Sequence, residues 1–391
     1  MQSFIPQKRT LMGPGPSDVS DRILEAMARP TLGHLDPDFQ RMMEEVKEGL
    51  KDLFQTQNKL TFPVSAPGSA GMETCFLNLV EEGDTVVVVR NGVFGMRMTE
   101  NVIRAGGKAV TVDVEWGKAP QLAAVEAVLE DNPDAKILAF VHAETSTGVW
   151  ADAAALCALA EKHGCLTIMD AVTSLGGIPV LVDEWGVDAV YSGSQKCLSC
   201  TPGLSPVTLS ERALDKIRAR KTPVRSWFLD LTLVMDYWDG EGGRSYHHTA
   251  PVNALYALHE ALVMLSEEGL ENAWARHMIM HEALAAGFES LGLKFLVDAE
   301  CRLPQLNAVV VPDGVDEASV RAFLLKEHNL EIGAGLGPMA GKVWRIGLMG
   351  SSACEENVEL CISALADALN RHQNPVDGAA ALKAVQAVLE S

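Results

Sequence analysis

Seven short apolar runs dominate the chain between residues 60 and 210: LTFPVS (60–65), TVVVV (85–89), AVTVDV (109–114), KILAFVH (136–142), CLTIMD (165–170), AVYSG (189–193) and SPVTLS (205–210). Helical periodicities at 69–80, 94–106, 120–131 and 152–163 lie between them. A strand with one wet face alternates polar and apolar residues, and most of these runs do not alternate. They are expected to be buried on both faces, in a mostly parallel sheet sandwiched between helices. The expected class is α/β, with the binding site at the carboxyl ends of the strands.

The rest of the chain divides around this repeat. Residues 1–18, rich in Gly and Pro around Gly13-Pro14-Gly15-Pro16, read as an extended arm. Helices are expected from Asp18 or Ser20 to Met27 and from about Asp36 to Phe54, the latter with Phe39, Met42, Met43, Val46, Leu50 and Leu53 at helical spacing. A long helix, roughly Pro251 to Leu291, is expected to leave the large domain, set at 19–267. A smaller α+β domain, 268–372, is expected to hold strands near 306–311 and 343–348 and helices near 315–327 and 354–370. The tail, 373–391, is an Ala-rich amphipathic helix or a frayed end.

Composition excludes some functions. With 391 residues and 48% hydrophobic content, the chain has enough apolar material for a large core. Its 32 Lys+Arg against 52 Asp+Glu give a net charge of −20, which repels phosphate backbones and argues against nucleic-acid binding. No run of about 18 apolar residues suggests a membrane span. The start lacks the apolar stretch of a secretory signal, so the expected location is cytoplasmic. Eight cysteines are too sparse for a disulfide framework and read as reduced, mostly buried thiols.

Three places carry the chemistry. Lys196 follows a predicted strand within Ser192-Gly193-Ser194-Gln195-Lys196, beside Tyr191, Cys197 and Leu198. Most lysines are solvated, but apolar neighbours desolvate an amine and make it a Schiff-base nucleophile. Asp170 closes the strand Leu166–Met169 and needs a partner there. It either caps the next segment or meets a pyridinium nitrogen. One crossover separates the two residues, so both end on the same sheet edge, as a pyridoxal phosphate site requires. Ala66-Pro67-Gly68-Ser69-Ala70-Gly71 opens a helix and either forms a plain turn or offers amides to a phosphate. No GxxxxGK[ST] is present, so it is not a nucleotide P-loop.

Together these elements resemble the class V aminotransferases of pyridoxal phosphate fold type I, in particular the alanine–glyoxylate / serine–pyruvate branch. The matching stretches are LMGPGPS (11–17), LVEEGDTVVV with NGVFGMR (79–97), HAETSTGV (142–149), MDAVTSLGG (169–177), YSGSQKCLSCTPG (191–203), RSYHHTAPV (244–252), EEGLENAW (267–274) and GLGPMAGKVWRIGLMG (335–350). The resemblance implies a mostly parallel central sheet with a smaller C-terminal domain. It makes Lys196 the Schiff-base lysine, Asp170 the pyridine-nitrogen partner, Val172 the residue under the ring and Phe94 the aromatic above it. Thr145 would bond the ring hydroxyl, and Gly68, Ser69 and Gln195 the phosphate. Tyr246 and Thr249 match phosphate ligands donated by a neighbouring subunit, which implies a homodimer with composite sites. Arg345 matches the arginine for the substrate α-carboxylate. Gly15, Gly33 and His34 would line the mouth, with His34 either shaping side-chain preference or structural. No metal is implied.

The implied reaction is transamination between alanine or serine and glyoxylate or pyruvate, with ping-pong kinetics. A different amine, or a desulfurase or lyase reaction, is the alternative on the same fold; Cys354 is its only candidate nucleophile. An NAD-dependent dehydrogenase lacks its GxGxxG, and intact Lys196, Asp170 and Arg345 argue against a catalytically dead binding protein. Pro67 departs from the branch pattern and removes one amide from the phosphate turn. Cys197 and Cys200 form a lone CxxC, too few ligands for structural zinc. His247-His248 reads as structural hydrogen bonding, since adjacent side chains tend to diverge. Arg97, Arg225 and Arg244 are further arginines that sequence cannot place relative to a dicarboxylate substrate.

Overall fold

The computed structural model describes residues 1–239 and 245–391; Arg244, at the head of the RSYHHTAPV stretch, lies outside the described residues. The seven expected strands form one sheet: β1 (Leu60–Val64), β2 (Thr85–Arg90), β3 (Lys108–Asp113), β4 (Ile137–Val141), β5 (Leu166–Asp170), β6 (Ala189–Tyr191) and β7 (Ser205–Leu209). Their order is β1-β7-β6-β5-β4-β2-β3. All neighbours pair in parallel except at β7, which runs antiparallel to both β1 and β6. Crossover helices Gly68–Leu79, Val93–Ala105, Leu122–Asp131 and Ala153–Lys162 begin and end within two residues of the expected bounds.

The burial explains the texture of the sequence. Val86, Val87 and Val88 in β2 and Ile137 to Phe140 in β4 are each 0% exposed, although successive side chains point to opposite faces. Both faces are therefore covered. Each fully buried Val, Ile or Phe contributes about 1.5–3 kcal/mol, so a polar residue in these runs would be costly unless it served a purpose. Asp170 is such a residue. It ends β5, and its register partners are Val141 on β4 and Tyr191 on β6.

The long helix expected from Pro251 to Leu291 is two helices, Val252–Glu268 and Leu270–Ser290, broken at Gly269. Gly269 has φ +83°, a conformation that ends a helix and that residues with a Cβ disfavour. Apolar periodicity continues across the break, which is why the pattern read as one element. Hydrophobic residues beyond it join a second core built on Leu284, Phe288, Trp344, Ile346 and Leu365. Its sheet contains β8 (Lys294–Phe295), β9 (Leu306–Val310), β10 (Gly333–Ala334) and β11 (Val343–Gly347), in the antiparallel order β8-β9-β11-β10. The two-residue strands β8 and β10 are too short to show as runs. The tail is a packed helix, Gly378–Leu389, with Ala381 and Val385 fully buried in the second core.

The N-terminal arm ties the two cores together. Thr10–Leu11 pairs in parallel with Leu330–Glu331, and Met12 is buried in the second core. Further along, the Ser17 hydroxyl donates to the carbonyl of Lys196 at 2.7 Å. The arm thus runs from the second core to the carboxyl edge of the large sheet. No helix among the described residues is long and apolar enough to cross a membrane.

Candidate active site

A cavity of about 180 Å³ opens at the carboxyl ends of β5 and β6, where the strand polarity places it. Gly68, Ser69, Phe94, Thr145, Asp170, Val172, Gln195 and Lys196, all expected at the site, line it together with Arg97 and Tyr191.

Lys196 sits in the turn after β6 and is 9% exposed. Its Nζ donates to the carbonyl of Pro14 in the arm, and no carboxylate pairs with it among the described residues. Burial lowers its pKa from 10.5 to about 8, with Asp170 pulling weakly the other way. Gly15 follows Pro14 with φ +107°, and a Cβ there would fall 2.2 Å from Lys196 Nζ. Glycine is therefore required where the arm crosses the amine.

Asp170 is 2% exposed. Its Oδ1 accepts from the Val172 amide and its Oδ2 from the Tyr191 hydroxyl, both at 2.8 Å. Desolvation raises its pKa to about 7, against those hydrogen bonds; the Glu144 charge adds to the rise. Tyr191, buried against the same carboxylate, has its own pKa pushed well above 10.

The helix Gly68–Leu79 begins at the cavity with Pro67 as N-cap and no side-chain cap. Its first amides are left to a ligand, and the helix dipole points the same way. A Cβ on Gly68 would come within 3.4 Å of Val172 Cγ2 and 3.3 Å of the Ser192 carbonyl, so the turn stays close to the cavity floor. Arg345 rises from β11 and is 7% exposed. Its Nε donates to Ala334 O at 2.6 Å and its Nη1 to Thr145 O at 3.1 Å. Those bonds fix the guanidinium plane at the cavity's border and leave Nη2 for a ligand. Burial lowers its pKa to about 10, so it stays charged at neutral pH.

The comparisons with known proteins then decide the family. The family described as aminotransferase class-V matches residues 18–359. This chain belongs to the class V aminotransferases. It is similar to alanine–glyoxylate aminotransferase of Rattus norvegicus, 40% identical over 93% of this chain and 88% of the relative. The solved ureidoglycine–glyoxylate aminotransferase of Bacillus subtilis superposes with TM-score 0.96 at 38% identity, covering 100% of both chains. The solved alanine–glyoxylate aminotransferase of a Nostoc species superposes with TM-score 0.92 at 45% identity, over 94% of this chain and 97% of that one. The chain is accordingly an aminotransferase that depends on pyridoxal phosphate.

The residues of this aminotransferase fit that coenzyme. The cavity offers a buried amine with no carboxylate partner among the described residues for an aldehyde, a buried carboxylate for a ring nitrogen, and a helix start without a side-chain cap for a phosphate. Phe94 and Val172 line the space between them.

Six expected site residues do not line this cavity. Gly15 and Arg345 sit one contact behind it, against Lys196 and Thr145; Gly33, His34, Tyr246 and Thr249 lie outside it. Gly33 is exposed, with nothing within 4 Å of a built Cβ. Tyr246 is 62% exposed, its hydroxyl 3.3 Å from Thr249 Oγ1, and its ring lies 5.3 Å from that of His34. They form an outward-facing group of their own.

His247 and His248 converge rather than diverge: their Nδ1 atoms are 2.8 Å apart, and His248 Nε2 lies 2.7 Å from Ser65 Oγ. No set of side chains able to hold a metal occurs among the described residues. Cys197 and Cys200 are buried, and burial raises their thiols to about 12 and about 11. Sequence reasoning gave no role to Pro14, Tyr191, Arg97 or Glu144, all of which touch the cavity or its lining. Tyr191 had a signal, since it lies in YSGSQK opposite Asp170. The Pro14 carbonyl is a backbone group 182 residues from its partner, and nothing in the sequence marks it.

Proposed function

We propose that this enzyme moves the amino group of a small amino acid, alanine or serine, to glyoxylate or pyruvate, in two half-reactions at one site with ping-pong kinetics. The observation that carries the reading is the buried pair Lys196 and Asp170, sharing one cavity with the charged Arg345 at its border. The names of the rat and Nostoc relatives support alanine as donor and glyoxylate as acceptor. In this reading 19–267 is the coenzyme domain and 268–372 the small domain that delivers Arg345.

Pyridoxal phosphate supplies the electron sink that makes a proton on the substrate Cα removable. The protein's own groups do the rest. Asp170, held by Val172 N and Tyr191 OH, keeps a carboxylate against the ring nitrogen. Thr145 holds the ring hydroxyl, and Val172 and Phe94 cover the two ring faces. Gly68, Ser69 and Gln195 take the phosphate, joined by Tyr246 and Thr249 from a second copy in a homodimer. Arg345 Nη2 and the free N–H of Nη1 grip the α-carboxylate at the mouth shaped by Gly15, Gly33 and His34. Lys196 Nζ, uncharged at little cost because of its depressed pKa, would hold the coenzyme's aldehyde carbon and would serve as the base for the substrate Cα proton.

Ureidoglycine is the second donor to weigh, because the Bacillus relative named for it aligns over the whole chain. The desulfurase alternative fares worse: Cys354 is the N-cap of the helix Glu355–Arg371, and burial raises its pKa, opposite to what a thiolate nucleophile needs. The test is kcat/KM for alanine, serine, ureidoglycine and aspartate with glyoxylate as acceptor. Alanine or serine should lead. Aspartate leading would overturn the small-donor reading and turn attention to Arg97 on the cavity wall.

A further inference from the structure

The helix Val93–Ala105 carries Phe94 to the cavity, yet it supplies no cap of its own. Its N-cap is Gly92, which has no side chain to accept from the first amides. The acceptors come from elsewhere in the chain. Phe94 N donates to Glu144 Oε2 at 3.1 Å, and Val93 N donates to Ser146 Oγ at 2.9 Å. Ser146 in turn gives its hydroxyl to Glu144 Oε1 at 2.6 Å and its amide to the same oxygen at 3.0 Å.

Glu144 is 0% exposed, and no Lys, Arg or His forms an ion pair with it among the described residues. Burial alone makes such a carboxylate costly, and it raises the pKa of this one. Three donors converge on it instead of a cation. The fit is close: a Cβ on Gly92 would fall 2.4 Å from both Glu144 Cδ and Ser146 Oγ. Gly92 thus leaves the room that lets Glu144, 50 positions beyond Phe94, act as the cap. One residue beyond Glu144, the Thr145 carbonyl accepts from Arg345. The same short segment therefore holds the start of the Phe94 helix on one side and the guanidinium on the other.

We propose that Glu144 is a positioning residue: as the remote N-cap of the helix Val93–Ala105, bridged by Ser146, it fixes Phe94 over the coenzyme ring. The inference rests on the reading of Phe94 as the ring-covering aromatic. Glu144 is not among the residues that line the cavity and acts through the backbone of Phe94. Glutamine in its place offers one acceptor oxygen and one NH2, so whichever way the amide turns, a donor of the cap meets a donor.

The test titrates full-length apoprotein with pyridoxal phosphate, read by absorbance, alongside the apoprotein melting temperature. Glu144→Gln should weaken coenzyme binding roughly three- to thirtyfold, the size of a lost cap. Phe94→Ala should weaken it as well. The double variant should bind within about twofold of Phe94→Ala alone, since effects through one contact do not add. Ser146→Ala, which removes only the bridging hydroxyl, should weaken binding less than Glu144→Gln and serves if that variant does not fold. Phe94→Ala weakened with Glu144→Gln and Ser146→Ala unchanged would overturn the inference alone, even if their melting temperatures fall. Losses that multiply in the double variant would overturn it too. Phe94→Ala binding as wild type would sink the ring-covering reading itself, and the inference with it.

Discussion

The Lys196–Asp170 end of the site and the Tyr246–Thr249 group are built in opposite ways. Lys196 and Asp170 are 9% and 2% exposed, on adjacent strand ends, and held by Pro14, Val172 and Tyr191. Tyr246 is 62% exposed and outside the cavity, and among the described residues it meets Thr249 through its hydroxyl and His34 through its ring. A buried site can be finished by one fold, because the sheet aligns its strand ends whatever else happens. An exposed Tyr–Thr pair has no such support and gains a purpose only by contact with something else. In our reading that is the phosphate end of a second copy's site.

Breaking the buried side of this comparison should give the largest effect. Arg345→Ala removes a charge-assisted grip on the α-carboxylate and should lower kcat/KM for alanine by roughly 10²-fold. Coenzyme binding should persist, and a decarboxylated amine should lose far less than alanine. Equal losses for both amines would mean that Arg345 only holds Ala334 and Thr145 in place.

The exposed side should respond more weakly and across the subunit boundary. Tyr246→Phe with Thr249→Ala should weaken coenzyme binding by about tenfold, two solvent-exposed hydrogen bonds at about 0.5–1 kcal/mol each. A heterodimer of that chain with a Lys196→Ala chain keeps one site with all its parts if the pair acts across the dimer. Its activity at limiting coenzyme should then approach half that of wild type. If the pair serves its own chain, activity stays at about half that of the Tyr246/Thr249 double variant.

The pH dependence of coenzyme capture should be the mildest effect. With Lys196 near pKa 8, the neutral amine grows roughly fivefold from pH 7 to 8 and by about twofold from 8 to 9. An exposed lysine near its ordinary value would gain about tenfold over each step. A capture rate still climbing tenfold from pH 8 to 9 would show that the amine is solvated in solution.

What the sequence disclosed follows the same division. The central sheet was legible because β2, β4 and β5 are buried on both faces and cannot alternate. Lys196 and Asp170 were legible because a charged residue closing such a strand is conspicuous. The break at Gly269 was hidden by an apolar period that runs through it, and β8 and β10 by their two-residue length. Glu144 stood in a quoted motif, HAETSTGV, but its work depends on a helix start 50 residues earlier, a contact only the fold creates. Tyr246 and Thr249 entered through family resemblance alone, since one exposed Tyr and Thr carry no local signal.

The central claim is that the buried amine of Lys196 carries the coenzyme. Borohydride reduction of the loaded enzyme, followed by peptide mapping, tests it most directly. The account predicts one stoichiometric coenzyme label per chain, on Lys196, and none there when the protein is reduced without coenzyme. A stoichiometric label on any other lysine, with Lys196 unmodified, would contradict it.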